Sequence, residues 1–493
     1  MSLKITCVFA VFGGRTLQYR LGILAALLAI VFTPSVFAGQ LYVGAASVSI
    51  TPDRPVALDG QMMTRISKDV LTPVTANALV LETRDGDAVL ERAVFVSCDL
   101  PYIVESVSVA ARERVKERVP DFDVSKLIIS ATHTHTAPVQ ETGIYEIPSS
   151  AMQPAEYSDF LVARIADVVA QAWTARKPAS AGWGLGHAVL AINRRSVYAD
   201  GTAQMYGPTD KENFRGFEGG EDHGVEVLCF WDADGKLIAT AVNVACPAQE
   251  VEGLWQIDAD LWHPVREALR AKHGSDLVVI AWTGAAGDQS PHLMYNKRAE
   301  ERMRELRKLT RLEELSRRIV AGWEEAYEGA TQERHGDVEF KHSVQTIELP
   351  LRVVTDEEYA NAKAKVEEYS KDVTKRRIMT WHQDAVNRYE RQKAGTAAPY
   401  KMQLHAIRLG DIAITTNDFE LYTEFGVQMK SKSRALQTFV IQLSGPGTYV
   451  PTPRAERGGG YSAIIESNVV GAEGGQVLAD KTVEAMNALW PAP

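Results

Sequence analysis

The stretch LIISATHTHT, residues 127–136, joins a run of apolar residues directly to a polar cluster. Leu127, Ile128 and Ile129 have the composition of a short buried strand. His133 and His135 follow, and on a continuing strand residues i and i+2 project from the same face. Loops at the carboxyl ends of strands are where α/β proteins assemble their sites. This stretch therefore predicts a buried strand that delivers two imidazoles to a site.

Four other stretches repeat this order of apolar run and polar loop. The runs are residues 237–245, 277–282, 412–414 and 439–443. The loops that follow them contain Cys246, Ser290, Glu420 and Tyr449. The pattern predicts an α/β fold, a single large domain with mixed β-sheets flanked by helices and its site at the carboxyl ends of strands.

The chemistry of these loops leaves alternatives open. Imidazole is the commonest neutral metal ligand, so His133 and His135 are candidates for a metal site or for a hydrogen-bonded structural pair. Ser290 follows a glycine-rich turn, where the backbone can approach a ligand closely. The alternative is a serine in a tight turn before Pro291.

The N-terminus has the pattern of a secretory signal. Lys4, Arg15 and Arg20 precede a nearly unbroken apolar run over residues 21–37, with Val36 and Ala38 at the positions before a cleavage site. We expect a signal peptide over residues 1–38 and a protein exported to the periplasm or the cell exterior. A membrane anchor is the alternative, although the run is at the short limit for a spanning helix.

Composition excludes some functions. The hydrophobic share of 45% and charged share of 24% are those of a globular chain. A formal net charge of −10 argues against a nucleic-acid partner, because phosphate binding needs a basic surface. Of the four cysteines, Cys7 falls in the predicted signal, which leaves an odd number and no disulfide scaffold.

Two segments read as helices. Apolar residues from Met303 to Trp323 recur at three- and four-residue spacing and predict one amphipathic helix within residues 297–327. Thr355 and Glu358 form a capping-box signature for a second helix within residues 356–390. These helices either cover the core from outside or form a flap over the mouth of the site.

Several short motifs together resemble the neutral ceramidase family. The main ones are THTHTAP at residues 132–138, GDQSP at 287–291 and the opening strand and turn at 43–52. Further similarities are Asn193-Arg194-Arg195-Ser196, Glu420 with Gly426, and Tyr449-Val450 with Tyr461. The similarities follow the order of the family across residues 41–465, and the resemblance lies in this combination.

The resemblance implies a zinc-dependent amide hydrolase. His133, Glu420 and Tyr449 would be zinc ligands, and Ser290 the nucleophile unless a zinc-bound water attacks the carbonyl. His135, Arg194 (or Arg195) and Tyr461 would surround the scissile amide. Amide cleavage needs a positive group for the developing oxyanion and a proton for the leaving amine, which His135 would supply.

One departure from the family concerns the metal. Cys246 stands where the family has a histidine ligand, and a thiolate binds zinc well. However, thiolate, carboxylate and phenolate together would carry three negative charges against two on the metal. Either Tyr449 stays protonated, or Cys246 is not a ligand and His223 or His263 replaces it.

The second departure concerns length and substrate. Neutral ceramidases carry a C-terminal β-sandwich domain, so residues 39–493 are expected to form the catalytic domain alone. We expect a small-molecule N-acyl substrate, with ceramide the leading candidate and peripheral contact with a membrane. The alternatives are an amidase or esterase for a more polar N-acyl compound, and a relative that binds lipid or sugar without turnover.

Overall fold

The computed structural model describes residues 38–491, so the predicted signal over residues 1–38 lies outside the described residues except for Ala38. The first eleven strands are β1 Gly39–Ser49, β2 Ala57–Leu58, β3 Arg65–Ile66, β4 Thr75–Asp85, β5 Ala88–Cys98, β6 Leu127–Ala131, β7 Lys177–His187, β8 Ile192–Asn193, β9 Arg195–Tyr198, β10 Ala203–Met205 and β11 Phe214–Phe217. They are followed by β12 Gly224–Asp232, β13 Leu237–Val244, β14 Val278–Thr283, β15 Gln289–Ser290, β16 Asp337–Val338, β17 Phe340–Leu349, β18 Tyr400–Leu409, β19 Ile412–Thr416, β20 Glu420–Leu421, β21 Gln437–Ile441 and β22 Tyr449–Val450. The helices are α1 Glu105–Arg118, α2 Pro154–Thr174, α3 Trp262–His273, α4 Lys297–Arg307, α5 Arg311–Ala330, α6 Asp356–Tyr369, α7 Arg376–Lys393, α8 Thr423–Lys432, α9 Pro453–Gly458 and α10 Ala472–Asn487.

Two mixed sheets form the centre of the fold. The larger runs in the order β14-β13-β12-β7-β1-β4-β5-β6, with the short β16 paired to β1, and the smaller runs β17-β18-β19-β21. The pairs β5/β6, β13/β14 and β19/β21 are parallel, and most others are antiparallel. All five strands predicted from apolar runs are present, and the predicted α/β fold class is confirmed.

Apolar side chains fill the space between the sheets, and helices cover their outer faces. Phe95, Trp282 and Phe439 are wholly buried in the central cluster that joins both sheets. The helices α1 and α2 cover one part of the larger sheet, α3 and α5 cover another, and α8 and α10 cover the smaller sheet. Burial of apolar surface on both faces explains why these strands read as continuous apolar runs.

Backbone hydrogen bonds join the carboxyl ends of strands from both sheets. The amide of Ala131 donates to the carbonyl of Leu443 over 3.1 Å, and the amide of Gln442 donates to the carbonyl of Thr283 over 2.9 Å. The amide of Gly284 donates to the carbonyl of Val244 over 2.8 Å. The ends of β6, β13, β14 and β21 therefore meet at one place, and their loops start together.

The two predicted helical segments are each broken into a pair, so the prediction of a single helix in each is wrong. In the first segment α4 ends before Lys308, whose φ of 58° leaves the helical region, and Thr310 caps α5. In the second, the predicted capping box is confirmed, because Thr355 accepts from the amide of Glu358 and Glu358 binds back. The helix then ends at Tyr369 and α7 returns beside it. Within residues 38–491, no helix is both long and apolar enough to cross a membrane.

Candidate active site

His133 and Glu420 form a buried pair where the strand ends meet. The strand does not continue through the histidines: β6 ends at Ala131, and His133, with a φ of 69°, lies in the loop that follows it. Its Nδ1 lies 2.6 Å from the carbonyl oxygen of Pro101, which can only accept, so Nδ1 carries the proton. Its Nε2 lies 3.0 Å from Glu420 Oε2, yet it makes no hydrogen bond with any described residue. A bare imidazole nitrogen and a carboxylate repel each other, so this geometry requires a cation between them, either a second ring proton or a metal ion.

The pKa values of the pair follow from this contact. Burial alone would lower the pKa of His133, but the Glu420 carboxylate outweighs burial and raises it. Burial would raise the pKa of Glu420, and the charges of His133 and Arg194 reverse this effect and lower it. Both groups therefore favour their charged forms, and the site attracts positive charge.

A chain of polar side chains connects this pair to Ser290. Glu420 and Tyr449 are paired neighbours on β20 and β22. Burial and the Glu420 carboxylate raise the pKa of Tyr449 well above its usual value, so Tyr449 remains a neutral phenol. Arg194 donates from Nη2 to the Tyr449 oxygen over 3.0 Å, and its guanidinium carbon lies 5.9 Å from the centre of the Tyr206 ring. The hydroxyls of Tyr206 and Ser290 are 2.9 Å apart. The polar side chains from His133 to Ser290 therefore lie next to one another in one polar chain, with hydrogen bonds between Arg194 and Tyr449 and between Tyr206 and Ser290.

The backbone before Ser290 packs closely against Glu420. A Cβ on Gly287 would lie 2.3 Å from the carbonyl oxygen of Glu420, so only glycine allows this approach. The Ser290 hydroxyl is fully buried and accepts from the amide of His292 over 3.0 Å. The glycine-rich turn predicted from the sequence thus packs directly on the strand that carries Glu420.

Tyr461 forms one wall of the site, next to α7. The sequence predicted this helical segment either as an outer cover of the core or as a flap over the site. The Tyr461 ring lies 5.7 Å from that of Tyr449, edge to face, and 5.8 Å from Trp381 of α7. The pair α6–α7 therefore contacts the site, as the flap alternative requires, whereas α5 covers the larger sheet. Arg195 pairs with Glu218 over 2.7 Å and donates to the backbone carbonyl of Tyr461 over 2.8 Å. Arg194 instead contacts the hydroxyl of Tyr449, so it is the arginine that the fold delivers to the site.

His135 belongs to a second histidine–carboxylate pair. Its ring lies 4.9 Å from that of His133, edge to face, and its Nδ1 lies 3.1 Å from Glu252 Oε2, without the alignment of a hydrogen bond. Its Nε2 lies 2.8 Å from the amide nitrogen of Gln249. An amide nitrogen can only donate, so Nε2 accepts and Nδ1 carries the proton. Burial raises the pKa of Glu252, but His135 reverses this and lowers it to about 2.

Cys246 is not brought to this cluster. It lies fully buried in the apolar cluster under α3 and α5, and its Sγ contacts the carbonyl of Pro247 at 3.5 Å. Burial raises the pKa of this thiol, which disfavours the thiolate that binds zinc. The alternative ligands are elsewhere too, since His223 pairs with Glu221 over 3.1 Å and His263 lies in α3. Cys98, Cys229 and Cys246 are all free and buried.

The donors that fit a zinc ion are His133, Glu420 and the neutral phenol of Tyr449. Among residues 38–491, no three His, Cys, Asp or Glu side chains form a metal-binding group, so a zinc ion here would need a protein phenol or water as a further ligand. The Nε2 of His133, which lies 3.0 Å from a carboxylate without a hydrogen-bond partner, is the observation that fits a metal. In this set Glu420 is the one anionic ligand, so the excess of negative charge that a Cys246 thiolate would bring to the metal does not arise.

Four residues of the site had no motif to identify them. They are Tyr206, Gln249, Glu252 and His292. Only His292 carried a signal, since it follows Ser290 by two residues. The others lie on loops without periodicity, and the contacts that place them span large sequence separations.

Comparison with known proteins identifies the fold. No protein-family model and no curated protein matches the chain. Among solved structures, neutral ceramidase from Pseudomonas aeruginosa matches with a TM-score of 0.66 at 16% identity, covering 92% of this chain and 76% of that one. A ceramidase complexed with C2 matches with a TM-score of 0.64 at 16% identity, over 92% of this chain and 75% of that one. The chain therefore has the neutral ceramidase fold, as its motifs predicted.

Proposed function

We propose that residues 39–493 form the catalytic domain of an exported, zinc-dependent hydrolase that cleaves the amide bond of ceramide or a ceramide-like N-acyl lipid. The observation that carries this proposal is the convergence of His133, Glu420, Tyr449, Arg194, Tyr206 and Ser290, six neighbouring polar side chains, at one place. They include residues that the ceramidase resemblance singles out, in a chain with that fold. Substrate drawn from a lipid phase would require peripheral contact with a membrane.

Each residue of the chain has a task in amide cleavage. A zinc ion held by His133, Glu420 and Tyr449 would supply Lewis-acid polarisation of the carbonyl. Ser290 Oγ forms a bond to the carbonyl carbon, with its hydroxyl oriented by Tyr206, and the buried guanidinium of Arg194 stabilises the developing oxyanion. His135 takes the hydroxyl proton and returns it to the nitrogen as the C–N bond breaks. Water then hydrolyses the acyl ester and restores Ser290.

A second candidate is an amidase for a more polar N-acyl compound. A cavity of about 380 Å³ lies beside His292, the neighbour of Ser290, and its lining includes Glu250, Lys297, Arg304 and Arg311. Charged walls next to the nucleophile suit a substrate with ionic groups better than one with two alkyl chains. This observation favours a polar leaving group or acyl chain.

One experiment tests both candidates. The mature protein is assayed for zinc by elemental analysis and for amine release from N-acyl sphingosines and from N-acyl amino acids of equal acyl length. We expect about one zinc per chain and release from the sphingosine series. Faster release from the amino acids would favour the second candidate. No release from either series, with zinc bound, would contradict the proposed function.

A further inference from the structure

The segment that begins at Cys246, residues 246–260, folds back onto the site. Its entry is fixed by the amide of Ala248, which donates to the carbonyl of Thr132 over 3.2 Å. Farther on, the amide of Val251 donates to the Asp260 carboxylate over 2.8 Å. These contacts fix both ends of a loop that has no regular secondary structure, and Gln249 and Glu252 lie within it.

Arg65 connects this loop to the segment that carries His135. Its guanidinium is fully buried and donates to the carbonyls of Glu252 over 2.7 Å and Leu254 over 2.6 Å. The same guanidinium donates to the carbonyls of His135 over 2.6 Å and Asp59 over 2.8 Å. One side chain therefore fixes the backbones of both members of the His135–Glu252 pair. A buried arginine with four carbonyl partners is costly to assemble, so the fold commits stability to this arrangement.

The backbone of Gly60 packs against the imidazole ring of His135 and restricts its orientation. Gly60 has a φ of +93°, and a Cβ there would lie 2.3 Å from His135 Cγ. The side chain is 11% exposed, and that of Glu252 is 21% exposed. The ring is thus confined between Gly60, Glu252 and Gln249, and its plane is set before any substrate arrives.

Each ring nitrogen of His135 has one partner and a distinct role. The Glu252 carboxylate faces Nδ1, which carries the proton, and Nε2 accepts the amide N–H of Gln249. Gln249 also accepts from the Nε2 of His292 through its carbonyl, over 2.8 Å. The carboxamide on Nε2 is chemically an amide N–H donor, as is the scissile group of an N-acyl substrate. A carboxylate behind an imidazole fixes the tautomer and stabilises the imidazolium formed during proton transfer.

We propose that Glu252 is a positioning residue for the reaction: it holds His135 with the proton on Nδ1, so that Nε2 exchanges the proton with the nitrogen of the substrate amide, which displaces the Gln249 carboxamide. This proposal deepens the proposed function and rests on it. His135 receives the proton of the Ser290 hydroxyl at Nε2, and the Glu252 carboxylate compensates the positive charge of the imidazolium. The same proton then leaves with the amine product.

Kinetics of loop variants test the role of Glu252. Glu252→Ala is expected to lower kcat about 100-fold with KM within about threefold and zinc content unchanged, and added formate is expected to restore part of kcat. Glu267→Gln, which neutralises a carboxylate of α3 that is 56% exposed, is the control and should retain kcat within about twofold. Loss of zinc from Glu252→Ala would make Glu252 a ligand and overturn the proposal, as would an unchanged kcat.

The tautomer of His135 provides a test that does not depend on turnover. Imidazole ¹⁵N shifts, assigned by comparison with His135→Asn, should show Nδ1 protonated and Nε2 bare in the wild type. In Glu252→Gln, which keeps the shape of the side chain if the alanine variant does not fold, the Nε2–H form should become populated. A wild-type ring protonated only at Nε2 would overturn the proposal even if the enzyme is active. Correct shifts without amide hydrolysis would contradict the proposed function instead.

Discussion

The two histidine–carboxylate pairs of the site have nearly equal N···O distances and carry a proton on Nδ1 in both rings, but their carboxylates face different ring nitrogens. In the pair of His133 and Glu420, the Pro101 carbonyl fixes one proton on Nδ1, so the nitrogen that faces the carboxylate is the one that must take a second proton or a metal ion. In the pair of His135 and Glu252, the Gln249 amide donates to Nε2, so the nitrogen that faces the carboxylate carries the proton. The first pair needs a cation between its members, and the second does not.

The difference shows that a distance alone does not define the function of a histidine. The partner of the other ring nitrogen decides whether the pair can bind a metal or handle a proton. The pKa directions agree with this division. Burial lowers the pKa of His135, and this effect is larger than the opposite effect of Glu252. For His133, the Glu420 carboxylate outweighs burial and the pKa is raised. The first pair therefore retains positive charge and the second presents a neutral ring.

The strongest test of this comparison removes each imidazole in turn. His133→Ala should lower zinc affinity by about 10⁴-fold, because a ligand is lost from a small set. His135→Ala should keep zinc affinity within about threefold while turnover collapses. Zinc affinity is measured by competition with a chelator. Equal zinc loss in both variants would show that the two pairs form one metal site and would remove the distinction.

The next largest effect concerns the far end of the polar chain. Ser290→Ala should lower turnover about 10³-fold with zinc content and melting temperature unchanged, because only the attacking hydroxyl is lost. Tyr206→Phe keeps the ring stacked on His292 but removes the hydroxyl next to Ser290, so about a tenfold loss is expected. Steady-state kinetics measure both. Near-normal turnover in Ser290→Ala would reduce this serine to a turn residue.

Arg65 provides a test confined to the second pair. Arg65→Met should lower the free energy of unfolding by about 3–5 kcal/mol, because buried carbonyls lose their donor. Zinc affinity of the folded fraction should be unchanged, since no contact of Arg65 reaches His133 or Glu420. Urea denaturation measures the first quantity and chelator competition the second. Arg114→Met, which breaks an exposed pair with Glu117, should cost less than about 0.5 kcal/mol as a control. A matching loss of zinc would indicate that the pairs are coupled.

The smallest expected effect separates Cys246 from both pairs. Cys246→Ser should leave zinc affinity unchanged and cost about 1–3 kcal/mol of stability, because a hydroxyl is buried in an apolar cluster. Cys229→Ser, in the same cluster, should show a similar loss. Thermal unfolding and zinc titration of the three proteins decide this. Weaker zinc binding in the Cys246 variant alone would restore Cys246 as a ligand.

Local patterns predicted the strands and their loops well, and helix ends less well. Buried strands such as β14 appear as apolar runs because both faces are covered, and the capping box at Thr355 depends only on a local hydrogen bond. The break at Lys308 was missed because its apolar periodicity continues across it. Cys246 was assigned to the metal from its place in the sequence, but the strand end turns its side chain into the core.

The sequence by itself determined which loops carry chemistry, because strand ends and glycine-rich turns follow from neighbouring residues. Only the tertiary structure decided which groups face each other. Tyr206 and Ser290 are 84 residues apart, and Glu252 and His135 are joined through the carbonyls that Arg65 binds. Such pairings depend on the closure of two sheets and on hydrogen bonds between distant loops, which local periodicity does not encode. The same closure decides which ring nitrogen of each histidine faces a carboxylate and thereby separates the proposed metal site from the proposed acid–base site.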